Sequence, residues 1–129
     1  MLRQKSNLVK RDVVGRWDYR LAARRCAACH SDGAKWGQWL EIHHIIGFPG
    51  RSDEPANWLC VCHRCHVLLE GHRGRYNGVQ YPPLTLGHAL TFKRLEDPDN
   101  YNPERLAQLY GQALPDELPL WLGEERTAT

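Results

Sequence analysis

No apolar run in the chain approaches the roughly 20 residues that a helix needs to cross a bilayer. The N-terminal stretch MLRQKSNLVKRDVV carries basic side chains but no apolar stretch of the kind a secretory signal needs. These two absences set the expectation of an intracellular, cytoplasmic protein with no membrane partner. There is no internal repeat, which excludes a solenoid or a propeller. There is no low-complexity tract either, and an apolar fraction of 42% is ordinary for a folded domain. At 129 residues there is room for one compact domain and too little for two good ones. The cysteines number five, which is odd, and thiols inside a cell stay reduced, so a disulfide framework is not expected.

Net charge is also small, at +2, but it is unevenly placed. Residues 1–95 hold 15 Lys/Arg and 7 Asp/Glu, a balance of +8, whereas residues 96–129 hold 2 Arg and 8 Asp/Glu, a balance of −6. A basic body suits a polyanion such as nucleic acid. A solvated surface with an acidic tail accounts for the same numbers.

Local patterns organise the chain. Residues 1–17 read as a basic N-terminal arm. Asp18 is placed to cap a short helix through YRLAARR that delivers Cys26 at its end, and CAACHSDG reads as a knuckle turn. In WGQWLEIHHII, aromatic and β-branched residues predict a strand or hairpin, and a period of two sends His43 and His44 to opposite faces. GFPGRSDEPAN predicts a loop, and CHRCHVLLEGH a helix that starts inside a C-x-x-C pair and ends near Gly71. RGRYNGVQYPP reads as a further loop. Thr85 to about Glu96 predicts an amphipathic helix with Leu86, Ala89, Leu90 and Leu95 on its buried side. Asn102 before Pro103 marks another helix start, running through Leu106, Leu109 and Tyr110 to Gly111. Leu118, Leu120 and Trp121 are the residues of the tail available for docking. The expected organisation is a single domain, with a metal-bearing core at 18–75 and a helical C-terminal extension at 76–129.

Two C-x-x-C pairs, Cys26/Cys29 and Cys62/Cys65, are separated by 32 intervening residues. Four thiolates close a tetrahedral zinc site completely, so the pairs predict a structural Zn²⁺. Cys60 competes with Cys62 by spacing, but its place in an apolar run favours a buried small side chain. His30, His63 and His66 each follow a cysteine and could in principle replace one in that shell. A four-cysteine site leaves all three free.

The histidines then need their own account. EIHHI at 41–45, Asn57, and CHRCH at 62–66 together resemble the HNH motif of HNH endonucleases. These are nucleases of the ββα-metal (His-Me finger) type, many of which carry a zinc knuckle of two C-x-x-C pairs around the motif. The resemblance covers residues 26–72, with Asn57 13 residues past His44 and His66 nine past Asn57. It implies an α+β fold: a small zinc-stabilised ββα-metal, treble-clef-like core with the helical extension appended. It also implies hydrolysis of DNA phosphodiester bonds with a divalent metal and a histidine base. Carried over by position, His44 would be the general base, and His43 and His66 the ligands to a catalytic Mg²⁺, Mn²⁺ or Ni²⁺. Asn57 would hold the loop that aims His44. Many family members carry Asp where this chain has His43; an all-His pair is softer and favours Mn²⁺, Ni²⁺ or Zn²⁺ over Mg²⁺. His72 is an alternative ligand if the helix ends early, and Glu41 either assists the metal or is a surface strand residue. Standalone proteins of this size in the family are often encoded by phages or mobile elements.

The chemistry holds without the family. An imidazole titrates near neutral pH and can take a proton from water, while a metal ion stabilises the phosphate and the leaving oxygen. Arg24, Arg25, Arg51, Arg64, Arg73 and Arg75 flank the motif, with Lys35 beside it. Of these, Arg51, Arg64, Arg73 and Arg75 are the expected backbone contacts to duplex DNA, which implies weak sequence specificity. Trp36 and Trp39 are expected in the core, and Tyr76 and Tyr81 either stack on bases or pack inside. No recognition helix is evident. The C-terminal helices have three open roles: extending the DNA surface, joining a second copy or protein partner, or covering the core. Two rival readings stand beside the nuclease, a zinc-knuckle nucleic-acid-binding module without catalysis and a structural adaptor.

Overall fold

The computed structural model describes residues 15–31, 40–71 and 73–121. The arm at 1–14, Lys35, Trp36, Trp39 and His72 lie outside the described residues. α1 (Arg16–Ala22) opens on Gly15, which takes a left-handed conformation. Asp18 is therefore not the cap that the sequence predicts; it sits in the first turn, where a negative charge meets the helix dipole favourably. The helix ends at Ala22, short of Arg24 and Arg25, and Cys26 follows in the next turn.

β1 (Leu40–His44) and β2 (Trp58–Cys62) pair antiparallel, with Leu40 opposite Cys62, His43 opposite Leu59 and His44 opposite Trp58. β2 is buried at Trp58, Leu59, Cys60 and Val61, as a strand covered on both faces requires. The chain passes from Cys62 straight into α2 (His63–Gly71), which buries Cys65, Leu68 and Leu69. RGRYNGVQYPP is not simply a loop. β3 (Arg75–Tyr76) and β4 (Val79–Gln80) form a short hairpin whose turn residues, Asn77 and Gly78, have φ of 50° and 75°. Two successive positive φ values are what a two-residue hairpin turn of matching twist demands, and Asn-Gly supplies them at low cost.

α3 (Leu86–Glu96) starts in a capping box between Thr85 and His88. Ala89 to Lys93 are buried without a break, together with Gly87, so the helix is enclosed around most of its girth rather than along one stripe. Of the residues expected on its buried side, Leu86 is half-buried and Leu95 is 45% exposed. Lys93 is fully buried. Its Nζ lies 2.8 Å from the Pro55 carbonyl, 2.7 Å from the Trp58 carbonyl and 2.6 Å from Asp97 Oδ2, so the charge is paired and hydrogen-bonded. Burial lowers its pKa and Asp97 opposes that shift. α4 (Pro103–Tyr110) is capped by the Asn102 side chain and buries Leu106. Leu84, Phe92, Leu106 and Trp121 join Leu40, Leu59, Leu68 and Cys65 in one core, so the C-terminal extension covers the hairpin-helix unit.

The fold is thus α+β, helices around two small antiparallel sheets. No helix among the described residues is long and apolar enough to cross a membrane.

Candidate metal centres and active-site cleft

Cys26 and Cys29, in the turn after α1, meet Cys62 and Cys65, at the β2–α2 junction, with their sulfurs within 4.8 Å of one another. The backbone N–H groups of Ala28 and Cys29 both donate to Cys26 Sγ at 3.4 Å, which favours a thiolate there. Burial pushes Cys26 up and the surrounding sulfurs push Cys65 up, whereas Cys26 draws Cys29 down and brings Cys62 to about 6. Four free thiols this close can hold a metal such as zinc, which would bind all four as thiolates. Cys60 is buried elsewhere, at 4% exposure, and burial raises its pKa to about 12. His30 and His63 turn away from the sulfurs, to Glu96 and to Glu41 respectively.

A second cluster lies where β1 faces α2. Donor atoms of His43, His66 and Glu70 fall within 4.8 Å of one another. His43 Nδ1 is 2.7 Å from Glu70 Oε2, and His66 Nε2 is 3.4 Å from the same oxygen. His66 Nδ1 is 2.7 Å from Glu41 Oε1, so Glu41 fixes the ring with Nε2 toward the cluster. Burial pushes the His43 imidazole below its ordinary value against the pull of Glu70. The bond from His43 holds Glu70 down at about 2. A neutral buried imidazole and an ionised carboxylate are the states a metal ligand needs. Two imidazoles and a carboxylate suit a divalent transition ion.

His44 bonds a different set of partners. Its Nε2 is 2.6 Å from Asp53 Oδ1, and Arg51 Nη2 is 3.2 Å from its Nδ1. Arg16 holds the other Asp53 oxygen at 2.9 Å. Burial would raise the Asp53 carboxyl, but His44 and Arg16 together keep it below the usual range. Asn57, fully buried, ties the loop between the strands: it accepts from Ile46 N at 2.8 Å and donates to Ile46 O at 3.1 Å and Ser52 O at 3.0 Å.

One cleft of about 530 Å³ is lined by His44, His66, Glu70 and Glu41, with Arg16, Arg20 and Arg51 around it. His43, 6% exposed, does not line it but lines a neighbouring hollow of about 450 Å³, with His44 and Glu70. The other predicted DNA contacts do not line this cleft. Arg64 lies over Tyr81 and Trp121, at 5.2 and 5.7 Å from their ring centroids, and Arg73 and Arg75 are exposed around the β3–β4 hairpin. Arg25 pairs with Glu96, and Arg24 is exposed and not among the cleft residues. Tyr81 packs on Trp121, and Tyr76 packs against the core. Sequence reasoning passed over Glu70, Asp53, Arg16 and Arg20. Glu70 had a signal, since it follows His66 by four residues on one helix face. Asp53 had none, because a loop carries no period.

Compared with family models, curated proteins and solved structures, the chain matches none.

Proposed function

We propose that this chain is a metal-dependent endodeoxyribonuclease of the HNH type, with a structural zinc in its four-cysteine cluster. The observation that carries the reading is the cleft that His44 shares with His66 and Glu70, two members of a three-donor cluster, under Arg16, Arg20 and Arg51. A divalent ion held by His43, His66 and Glu70 would supply Lewis-acid stabilisation of the scissile phosphate and its leaving oxygen.

The remaining work falls to the chain's own groups. Arg51 can only donate, so His44 Nδ1 is the lone-pair nitrogen and Nε2 carries the proton facing Asp53. Asp53 thereby selects the tautomer and steadies the imidazolium that forms when Nδ1 takes a proton from water. A phosphate in the cleft competes for Arg51 and releases Nδ1 for that step. The arginines grip backbone oxygens, which fits duplex DNA and weak sequence specificity. The sulfur cluster ties the Cys26–Cys29 turn to the β2–α2 junction, so a bound zinc would hold β2 and the His66 helix in register.

The test is cleavage of supercoiled plasmid by zinc-loaded protein with added Mg²⁺, Mn²⁺ or Ni²⁺, beside His44→Ala of equal zinc content and fold. Nicking or linearisation by the wild type alone supports the reading. Binding of DNA with no cutting under any metal favours a non-catalytic zinc-knuckle module. Equal cutting by both proteins means the base lies elsewhere.

A further inference from the structure

We infer that Phe48 is a stacking site for an unpaired nucleobase beside the cut phosphate; the choice of ligand rests on the nuclease reading. Phe48 is 85% exposed, more than any other large apolar side chain among the described residues. One exposed apolar side chain is ordinary by itself. This one is set apart by its position and its support.

Phe48 lines both the 530 Å³ cleft and a neighbouring hollow of about 450 Å³, so it stands on the ridge between them. The Arg51 guanidinium lies 5.3 Å from the Phe48 ring centroid and also 3.2 Å from His44 Nδ1. A phosphate drawn to Arg51 therefore brings its neighbouring bases within reach of the ring. The loop is fixed on both sides of Phe48. Asn57 bonds Ile46 and Ser52, and Gly50 lies so close to the Leu109 carbonyl that a Cβ would not fit there. The ring is thus presented by a held backbone, which is what a stacking platform needs. Tyr19 and Tyr81 pack on tryptophans, Tyr76 meets His63, and Tyr110, 37% exposed, lines the neighbouring hollow, so among the described residues Phe48 is the one Phe, Tyr or Trp that lines the cleft itself.

Base–aromatic stacking is sequence-tolerant, because every base has a π-face. Unstacking a paired base costs energy, so a site of this kind selects DNA in which the base is already unpaired, at a bulge, mismatch or single-stranded end.

The test compares two duplexes alike except at one bulged position, which carries adenine in one and an abasic site in the other. Binding is measured with zinc-loaded protein and no added divalent metal, for wild type, Phe48→Ala and Phe48→Trp. The expected result is a wild-type preference for the bulged adenine of about 5- to 150-fold. Phe48→Ala should bind both duplexes alike, and Phe48→Trp should keep the preference. Equal wild-type binding, a preference that survives in Phe48→Ala, or no DNA binding at all would overturn the inference. Attachment of the wild type to anionic vesicles that is lost in Phe48→Ala, with no base preference, would overturn it too and assign the ring to a membrane. The two readings fail separately: plasmid cutting with no base preference removes only the stacking site, and a Phe48-dependent preference in a protein that never cuts removes only the nuclease.

Discussion

His44 and Asp53 meet at 2.6 Å through Nε2 and Oδ1, and the contact decides which nitrogen of the ring can act as a base. With Nε2 on the carboxylate and Arg51 on Nδ1, the proposed mechanism leaves Nδ1 as the nitrogen that takes the proton. Replacing His44 with Ala should lower plasmid nicking about 10²- to 10⁴-fold, the usual worth of a positioned base. Asp53→Ala should cost less, about 10- to 100-fold, and should act on kcat with KM nearly unchanged, because the ring remains but is no longer aimed. Turnover measured at saturating metal and DNA checks both. An Asp53→Ala protein with full kcat would remove Asp53 from the mechanism.

Glu41 sits 2.7 Å from His66 Nδ1 and 3.0 Å from His63 Nδ1. A carboxylate behind a ligating imidazole fixes its tautomer and raises its basicity. Glu41→Ala should therefore weaken Mn²⁺ binding about 10- to 100-fold while leaving the zinc content of the cysteine cluster untouched. Calorimetric titration of Mn²⁺, beside elemental analysis for zinc, separates the two sites. Loss of zinc in this variant would show that Glu41 supports the fold and not the ligand.

Lys93 anchors α3 to the turn before β2 and to the start of β2 through the Pro55 and Trp58 carbonyls, and pairs with Asp97 at the end of its own helix. Lys93→Met keeps an unbranched apolar stem but removes the ammonium and leaves those acceptors short of a donor. Breaking a buried pair from one side costs about 3 kcal/mol or more. Urea denaturation should show that loss, and adding Asp97→Asn should recover part of it by removing the leftover charge. Full wild-type stability in Lys93→Met would mean water replaces the ammonium.

Arg105 holds both Glu54 oxygens, at 2.7 and 2.8 Å, and this contact lowers the Glu54 carboxyl below its ordinary value of 4.5. A carboxyl whose folded value lies below its unfolded value stabilises the protein above the unfolded value. It loses that contribution as pH falls through the folded one. The Tm of wild type should therefore exceed that of Glu54→Gln at pH 7, and the gap should close as pH drops below about 4.5. A gap that stays constant down to pH 3 would assign the difference to packing.

Reading the sequence alone went furthest where a rule of spacing exists. Two C-x-x-C pairs announce four sulfurs, and Asn102-Pro103 and Gly111 bound α4 correctly. The β3–β4 hairpin went unread because strands of two residues show no alternation, although Asn77-Gly78 carried the turn signal. Lys93 was illegible for a different reason. A lysine reads as surface, and its burial depends on the carbonyls of Pro55 and Trp58, more than thirty residues earlier. The stacking of the Arg64 guanidinium over Tyr81 and Trp121 is likewise absent from any local pattern. Tertiary packing decided each of these, and a local window does not contain it.

Asn57 is where loop and site meet. It is fully buried, and its side chain satisfies Ile46 N, Ile46 O and Ser52 O at once. Ile46 lies two residues after His44 and Ser52 one before Asp53, so the amide sets the separation of His44 from Asp53. Asn57→Ala leaves three backbone groups without partners, each worth about 1–3 kcal/mol when buried, so a large loss of stability is expected. Asn57→Asp is the sharper test. It keeps an acceptor for Ile46 N but offers no donor to the two carbonyls. It should fold with reduced stability, retain zinc, and lose activity out of proportion to the fraction unfolded. If nicking per folded molecule is unchanged in Asn57→Asp, the loop is held by its other contacts and Asn57 serves stability alone.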